Sequence, residues 1–123
     1  MSLLTVSSEL ADGQARLALR GELDPSTAGQ VETALGELER GAGASTVVLD
    51  LRALRFMDST GLHLVLGADA RARERGGRLL IVRGPEAVDR VFRLARLEQR
   101  LELTEDPDPD PDADPRARET SDA

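Results

Sequence analysis

The residues best suited to chemistry lie in one short segment, Phe56-Met57-Asp58-Ser59-Thr60-Gly61-Leu62. The segment joins an apolar run that starts at Thr46 to a helical pattern that continues to about Arg75. Asp, Ser and Thr are common at helix starts, because their side-chain oxygens accept hydrogen bonds from backbone N–H groups of the first turn. The segment therefore predicts a strand-to-helix turn that carries two hydroxyls and one carboxylate.

The hydroxyl of Ser59 is a candidate site for a phosphate group. Backbone N–H groups in the first turn of a helix lack partners within the helix, and the helix dipole is positive at that end. A phosphate there would meet hydrogen-bond donors and would add about −1.5 to −2 charges in one step. Asp58 could orient the hydroxyl or repel the added phosphate. The plainer alternative is that Ser59 and Thr60 only cap the helix.

A hydrolase that uses Asp24, Asp58 and Ser59 is another reading, and the sequence argues against it. Ser59 has no general base in a recognisable motif, because the only histidine, His63, falls on the following helix without an orienting partner. Cys is absent, which excludes thiolate chemistry. No glycine segment has the lysine and spacing of a phosphate-binding loop. We therefore predict no enzyme activity, no metal and no cofactor.

Acidic residues are concentrated at the C-terminal end of the sequence. The 123 residues carry a net charge of −7. Eight acids and two arginines fall within residues 105–123, which leaves residues 1–104 close to neutral. A near-neutral body gives no reason to expect nucleic acid as a partner. The Asp-Pro repeats have no apolar face, so we predict one domain at 1–104 and a disordered acidic Asp/Pro-rich tail at 105–123.

The sequence shows no targeting or membrane signal. The first residues lack a basic region followed by a long apolar run, so no signal peptide is predicted. No apolar stretch approaches the roughly 20 residues that a membrane-spanning helix needs. We expect a cytoplasmic protein without a membrane partner, either a monomer or a weak dimer.

Local patterns predict an α/β fold with a mixed sheet and packed helices. Two runs alternate at period two around Asp12-Gly13, which is typical of an antiparallel hairpin. The apolar run Thr46–Leu51 predicts a strand buried on both faces in a sheet covered by helices, and Arg52–Arg55 is expected to be a short link. Alternating helices and strands then imply parallel neighbours. The predicted strands are 3–10, 14–20, 46–51, 78–83 and 101–103, and the predicted helices are Asp24 to about Arg40, 60–75 and 86–96.

The third predicted helix has a clear apolar spacing. Val88, Val91, Phe92 and Ala95 recur at helical intervals, so all four are expected to face inward.

Four segments of the sequence stand in one order and at one set of spacings: Gly21-Glu22-Leu23-Asp24, Val48-Leu49-Asp50-Leu51, Phe56 to Leu62, and Gly76-Gly77. Together they resemble the STAS-domain anti-sigma factor antagonists, the SpoIIAA/RsbV-like bacterial proteins. The resemblance covers about residues 3–103, and Met-Asp-Ser-Thr-Gly-Leu is a fairly specific part of it. It implies the STAS fold, a mixed sheet of four or five strands with helices.

The resemblance also implies partners. In that family the unphosphorylated domain binds an anti-sigma factor that is also a serine kinase of the GHKL type, and this frees a sigma factor for transcription. The kinase phosphorylates the serine of the motif, here Ser59, which breaks the complex, and a phosphatase restores it. Asp58 falls on the acidic neighbour, Asp24 on the first-loop Asp that lies close by, and Thr60 on the second hydroxyl position. The expected loop and partner contacts are Asp24, Asp58, Thr60, Gly61, Leu62 and His63.

Three features depart from the family pattern, and one of them is the short first strand that the start at Met1 to Leu4 leaves. His63 stands where the family often has a small residue, and it is expected to be exposed or to contact a partner. The C-terminal helix usual in the family is missing or replaced by the tail. A STAS scaffold or transporter-accessory module remains the alternative function, although the intact Asp-Ser-Thr-Gly motif argues against it.

Overall fold

A computed structural model describes residues 3–11, 14–41 and 45–109. One five-stranded sheet has the order β1-β2-β3-β4-β5, with β1 antiparallel to β2 and all other neighbours parallel. The elements are β1 (Leu4–Ala11), β2 (Gln14–Leu23), α1 (Ala28–Gly41), β3 (Thr46–Met57), α2 (Ser59–Glu74), β4 (Arg78–Val82), α3 (Glu86–Leu94) and β5 (Glu102–Thr104). The predicted α/β fold with a mixed sheet is confirmed. The predicted hairpin turn Asp12-Gly13 lies outside the described residues.

Strand β3 is longer than predicted. The expected link at Arg52–Arg55 is wrong, because the strand continues through it to Met57. Two register shifts against β2 interrupt the ladder there. Leu51, Leu54 and Met57 are buried at intervals of three residues, so this part of β3 does not show the period-two pattern that marks a strand. The extension brings the end of β3 level with the end of β2.

The first and third helices also differ from their predicted bounds. Helix α1 starts at Ala28, because Asp24 to Thr27 form turns held by side-chain hydrogen bonds. Helix α3 ends at Leu94, and Ala95 is exposed rather than inward as predicted. The chain leaves the helical conformation at Arg96, which has a φ of 57°.

The main core joins all three helices to one side of the central strands. Leu49 and Ile81 alternate with residues that face the other side, as expected for strands. Apolar side chains from each helix complete the cluster. Its helical members include Val31 and Leu35 of α1, Leu64, Val65, Ala68 and Ala72 of α2, and Val88 and Phe92 of α3.

A separate apolar cluster lies on the opposite side of the central strands. Val48, Leu80 and Val82 are all buried and belong to no other cluster. No helix residue within the described ranges joins them. Arg16 and Asp50 belong to the same side, because they alternate with the core residues of β2 and β3. We call these five residues the second face.

Asp50 is the charged centre of the second face. Its carboxylate accepts hydrogen bonds from Arg16 at 2.9 Å and from Arg52 at 2.8 Å. Burial alone would raise the pKa of Asp50, but the hydrogen bonds from Arg52 and Arg16 outweigh it and lower the pKa below the usual range. The Asp50 carboxylate therefore stays ionised on the second face.

The chain returns to the second face after β5. Arg16 Nη2 donates to the carbonyl oxygen of Pro107 at 2.5 Å, and Pro109 is buried. We call residues 105–109 the strap. The rest of the predicted tail, 110–123, lies outside the described residues, so its disorder and the domain boundary at 104 stay predictions.

No helix in the described part of the chain is long and apolar enough to cross a membrane.

Candidate functional site

The candidate site forms where two parallel strands end side by side. Leu23 of β2 is the register partner of Met57 of β3. Asp58 N–H donates to the carbonyl oxygen of Leu23 at 3.4 Å, which ties the two strand ends together. Asp24 and Asp58 are each the next residue after this pair. The structure thus brings together two loops that are 34 residues apart in the sequence.

Asp58 is the N-cap of α2. Its backbone is extended, with φ −111° and ψ −166°, and its carboxylate accepts a hydrogen bond from Thr60 N–H at 2.9 Å. Leu62 N–H donates to the Asp58 carbonyl oxygen at 3.2 Å. The carboxylate is therefore engaged with the backbone of the turn. Of the two roles considered for Asp58, orienting the Ser59 hydroxyl is not what the structure shows.

Ser59 is the first residue of α2 and is exposed. Its hydroxyl makes no hydrogen bond to any described residue. A serine that capped the helix would accept from the backbone two or three residues ahead, and Asp58 takes that role instead. The Ser59 hydroxyl is free for an outside group to approach.

Gly61 sets how closely α2 approaches the strands. A Cβ at this position would lie 2.4 Å from Met57 Cγ and 2.9 Å from Leu23 Cδ2. Both distances are shorter than real Cβ contacts, so a side chain would push the helix start away from the strand ends. Gly61 is buried, and the half-buried Leu62 packs against the core. These two residues hold the turn in place, and their expected contact with a partner stays a prediction.

The Asp24 loop is fixed by a small hydrogen-bond network that the sequence did not reveal. Asp24 Oδ1 accepts from the Ser26 backbone N–H at 2.9 Å and from the Ser26 hydroxyl at 2.6 Å. Thr27 is buried, and its hydroxyl donates to the Glu22 carbonyl oxygen at 2.9 Å. The Ser26 hydroxyl bond lowers the pKa of Asp24 below its usual value. Asp24 therefore remains a negative charge beside the Asp58 loop.

A cavity of about 500 Å³ opens between α1 and α2, one turn from Ser59. Gly36 and Gly67 leave room between the helices. At the far end Arg71 Nε meets Glu39 Oε1 at 3.0 Å and bridges the two helices. The exposed His63 lies on the rim of the Ser59 end with Thr60. The full lining is Glu32, Gly36, Glu39, Thr60, His63, Leu64, Gly67 and Arg71.

No group of three or more His, Cys, Asp or Glu side chains arranged for a metal ion occurs within 3–11, 14–41 and 45–109. The two carboxylates of the site, Asp24 and Asp58, are each engaged with hydrogen-bond donors of their own loops. The chemistry that this arrangement supports is modification of an exposed hydroxyl.

Comparison with known families agrees with this fold. Residues 6–105 match the family described as "Mlab, STAS domain". The match covers most of the chain and includes both loops of the site. The chain belongs to the STAS-domain family.

Among curated proteins, the chain is similar to an anti-sigma F factor antagonist of Paenibacillus polymyxa. The two are 32% identical over 78 residues, which is 63% of this chain and 67% of that protein.

Two solved structures share the fold. The unphosphorylated anti-sigma factor antagonist SpoIIAA has a TM-score of 0.69 at 22% identity, with 96% of both chains covered. An anti-sigma factor antagonist from Mycobacterium paratuberculosis has a TM-score of 0.70 at 27% identity, with 81% of this chain and 84% of that chain covered.

Proposed function

We propose that this protein is an anti-sigma factor antagonist that is switched off by phosphorylation at Ser59. In its unphosphorylated form it binds an anti-sigma factor serine kinase of the GHKL type and so releases a sigma factor. The kinase transfers a phosphoryl group to Ser59, the complex separates, and a phosphatase acting on phospho-Ser59 restores the active form.

The observation that carries the proposal is the free hydroxyl of Ser59 at an exposed helix start. A kinase must place the hydroxyl oxygen in line with the phosphoryl group, so an internal hydrogen bond would have to break first. Asp58 caps α2 in place of Ser59, which leaves the hydroxyl without that restraint. The likeness to the Paenibacillus polymyxa antagonist supports the same function.

The charges around Ser59 support a switch by repulsion. Asp58 directly precedes Ser59 at the turn, and Asp24 lies in the neighbouring loop with its pKa lowered. A phosphate adds about −1.5 to −2 charges to a surface that already carries these two carboxylates. A partner surface that accommodates the hydroxyl and two carboxylates would have to desolvate and neutralise the added charge as well. Phosphorylation therefore weakens docking without any change in the fold.

The docking surface proposed for the kinase extends from the turn into the cavity between α1 and α2. Thr60 and His63 connect the turn to the cavity, because both residues line the cavity at the end nearest Ser59. Glu32 adds a negative charge to the same rim. His63 gives this rim an exposed ring, so we expect it to influence which partner binds.

Ser59 acts in this scheme as a substrate and not as a catalyst. Asp58, its neighbour in the sequence, accepts a hydrogen bond from Thr60 N–H and makes none with the Ser59 hydroxyl. The kinase supplies the base and the nucleotide, so the protein itself needs no cofactor.

Two substitutions at Ser59 test the proposal. Ser59→Ala, used as bait in a pull-down from the native cell, should capture an anti-sigma factor with a kinase domain. With that purified partner, Ser59→Ala should bind as tightly as the unmodified protein, and Ser59→Asp should bind at least about tenfold more weakly, a difference of about 1.4 kcal/mol. Equal binding of Ser59→Asp and the unmodified protein would contradict the switch.

The alternative is a STAS scaffold or transporter-accessory module. The family match, described as "Mlab, STAS domain", does not by itself separate this alternative from the switch. The two differ in what the Ser59→Ala bait captures. Recovery of a transporter permease, with binding that is the same for Ser59→Ala and Ser59→Asp, would favour the alternative.

A further inference from the structure

His63 lies one helical turn after Ser59 on α2. Residues four positions apart in a helix are neighbours on its surface, with their Cβ atoms about 5–6 Å apart. Long side chains of a helix lean toward its N-terminus, so the ring of His63 leans toward the turn that begins at Ser59. Both residues are exposed, and His63 lies with Thr60 on the rim of the cavity between α1 and α2. The imidazole is therefore within reach of a phosphate attached to the Ser59 oxygen.

The imidazole of His63 makes no hydrogen bond or ion pair with a residue in the ranges 3–11, 14–41 and 45–109. The charged side chains that line the cavity with it are Glu32 and Glu39 of α1 and Arg71 of α2. Arg71 is paired with Glu39 at 3.0 Å, so these two charges largely offset each other. Glu32 has no ion pair to a described residue. The ring of His63 therefore lies on a rim with no competing free cation among its lining residues.

The helix start itself offers a phosphate few hydrogen-bond donors. Two of the four backbone N–H groups that a helix start leaves without helical partners are already used here. Asp58 N–H donates to the Leu23 carbonyl oxygen at 3.4 Å, and Thr60 N–H donates to the Asp58 carboxylate at 2.9 Å. A third belongs to Gly61, which is buried. The Asp58 carboxylate also repels a second anion at the cap, which directs the phosphate along α2 toward His63.

We propose that His63 holds the phosphate of phospho-Ser59 by a charge-assisted hydrogen bond and so fixes it on the rim of the cavity between α1 and α2. This inference rests on the proposed function, because it concerns the phosphorylated form of the same site. An anion four residues before a cation is the favourable order of such a pair on a helix. A phosphate fixed there lies on the surface proposed to dock the kinase. The contact needs a charged imidazole, so it weakens as the pH rises through the range in which histidine loses its proton.

NMR titration of phosphorus and of the imidazole tests the contact directly, because His63 is the only histidine of the chain. Phosphoserine can be incorporated in place of Ser59 during protein synthesis, which requires no kinase. The untagged protein then has one phosphorus signal and one histidine Cε1–H signal. With His63 present, the phosphorus signal should titrate at least about 0.3 of a pH unit lower than in His63→Gln, because a nearby cation favours the doubly charged phosphate. The histidine signal should titrate at a higher pH with phosphoserine than with serine.

Two variants separate the contact from a general effect of charge. His63→Lys keeps a cation one turn from Ser59 and should keep the phosphorus titration at low pH. His63→Gln combined with Ala70→His keeps one imidazole in the chain and moves it about 10 Å further along α2. Ala70 is exposed, so the added ring has room at the surface of the helix. This relocated histidine should leave the phosphorus titration as it is in His63→Gln alone.

Two results would overturn the inference. The phosphorus signal could titrate at the same pH with His63, with His63→Gln and with His63→Lys, which would show that no contact forms. The relocated histidine could lower the phosphorus titration as much as His63 does, which would show only a general attraction between charges. Neither result contradicts the proposed function, because the phosphoserine is supplied without the kinase. Failure of the captured kinase to modify Ser59 would contradict the proposed function, whatever the titration shows.

Discussion

At the scale of single residues, Asp58 and Ser59 have neighbouring positions and different surroundings. Both belong to residue types that cap helices, so the sequence could not decide which of them does so. In the structure Asp58 is the N-cap, and its carboxylate accepts a hydrogen bond from Thr60 N–H at 2.9 Å. Ser59 is left with an exposed hydroxyl. The phosphoacceptor proposal depends on this division of roles.

The cap can be tested apart from the charge. Asp58→Ala removes the acceptor for Thr60 N–H and should lower the free energy of unfolding by about 1 kcal/mol, as for other N-caps. Asp58→Asn keeps an acceptor oxygen at the same place and should change the free energy of unfolding by only a few tenths of a kcal/mol. Urea denaturation of both variants gives the comparison. Equal losses in the two variants would mean that the carboxylate charge, and not the cap, stabilises the turn.

At the scale of elements, the site exists because two loops of a parallel strand pair meet. Alternation of helix and strand predicted the parallel pair, and the resemblance placed Asp24 near the Ser59 loop. The full length of β3 was not predicted, because the register shifts hide its period-two pattern over Arg52–Arg55. The Ser26 and Thr27 bonds were also missed, since short polar residues after a strand fit many turns. Only the distances between side chains identify the network.

Gly61 is the element-scale position with the sharpest prediction. Gly61→Ala places a Cβ 2.4 Å from Met57 Cγ, so we expect a loss of about 1–3 kcal/mol in the free energy of unfolding. Gly29→Ala is the matched control, because nothing lies within 4 Å of its added Cβ on α1. That variant should be neutral or more stable by up to about 1 kcal/mol. A neutral Gly61→Ala would show that α2 can move away from the strand ends without penalty.

At the scale of the whole molecule, the two sides of the sheet are covered in different ways. The apolar run Thr46–Leu51 was predicted to be buried on both faces under helices. Burial on both faces is what the structure shows, yet no described helix residue joins the Val48, Leu80 and Val82 cluster. The strap reaches this side instead. A proline-rich acidic segment has no apolar pattern, so the packing of the strap was not predicted.

The second face predicts a pH dependence of stability. The pKa of Asp50 is lowered in the folded protein, so the folded state holds its proton less tightly than the unfolded chain does. The stabilisation from Asp50 is therefore fully present above the unfolded pKa of about 3.9 and is lost as the pH falls through the lower folded pKa. Asp50→Asn should reduce the free energy of unfolding by about 2 kcal/mol at pH 7, because Arg16 and Arg52 lose their acid.

Comparing the unmodified protein with Asp50→Asn separates the contribution of Asp50 to stability from that of the other acids. The difference in stability between the unmodified protein and Asp50→Asn should shrink as the pH is lowered from about 7 to about 2, measured by denaturant unfolding. A difference that stays constant over this range would mean that the Asp50 charge does not provide the stabilisation.

The central claim is that one phosphate on Ser59 turns binding off. Its most direct test is to measure the Kd for the captured anti-sigma factor kinase before and after phosphorylation with ATP, with the modified residue mapped by mass spectrometry. We predict one added phosphate, on Ser59, none on Ser59→Ala, and a Kd at least about a hundredfold weaker after modification, about 2.7 kcal/mol. A phosphate located on Thr60 instead, or an unchanged Kd with Ser59 fully phosphorylated, would contradict the account.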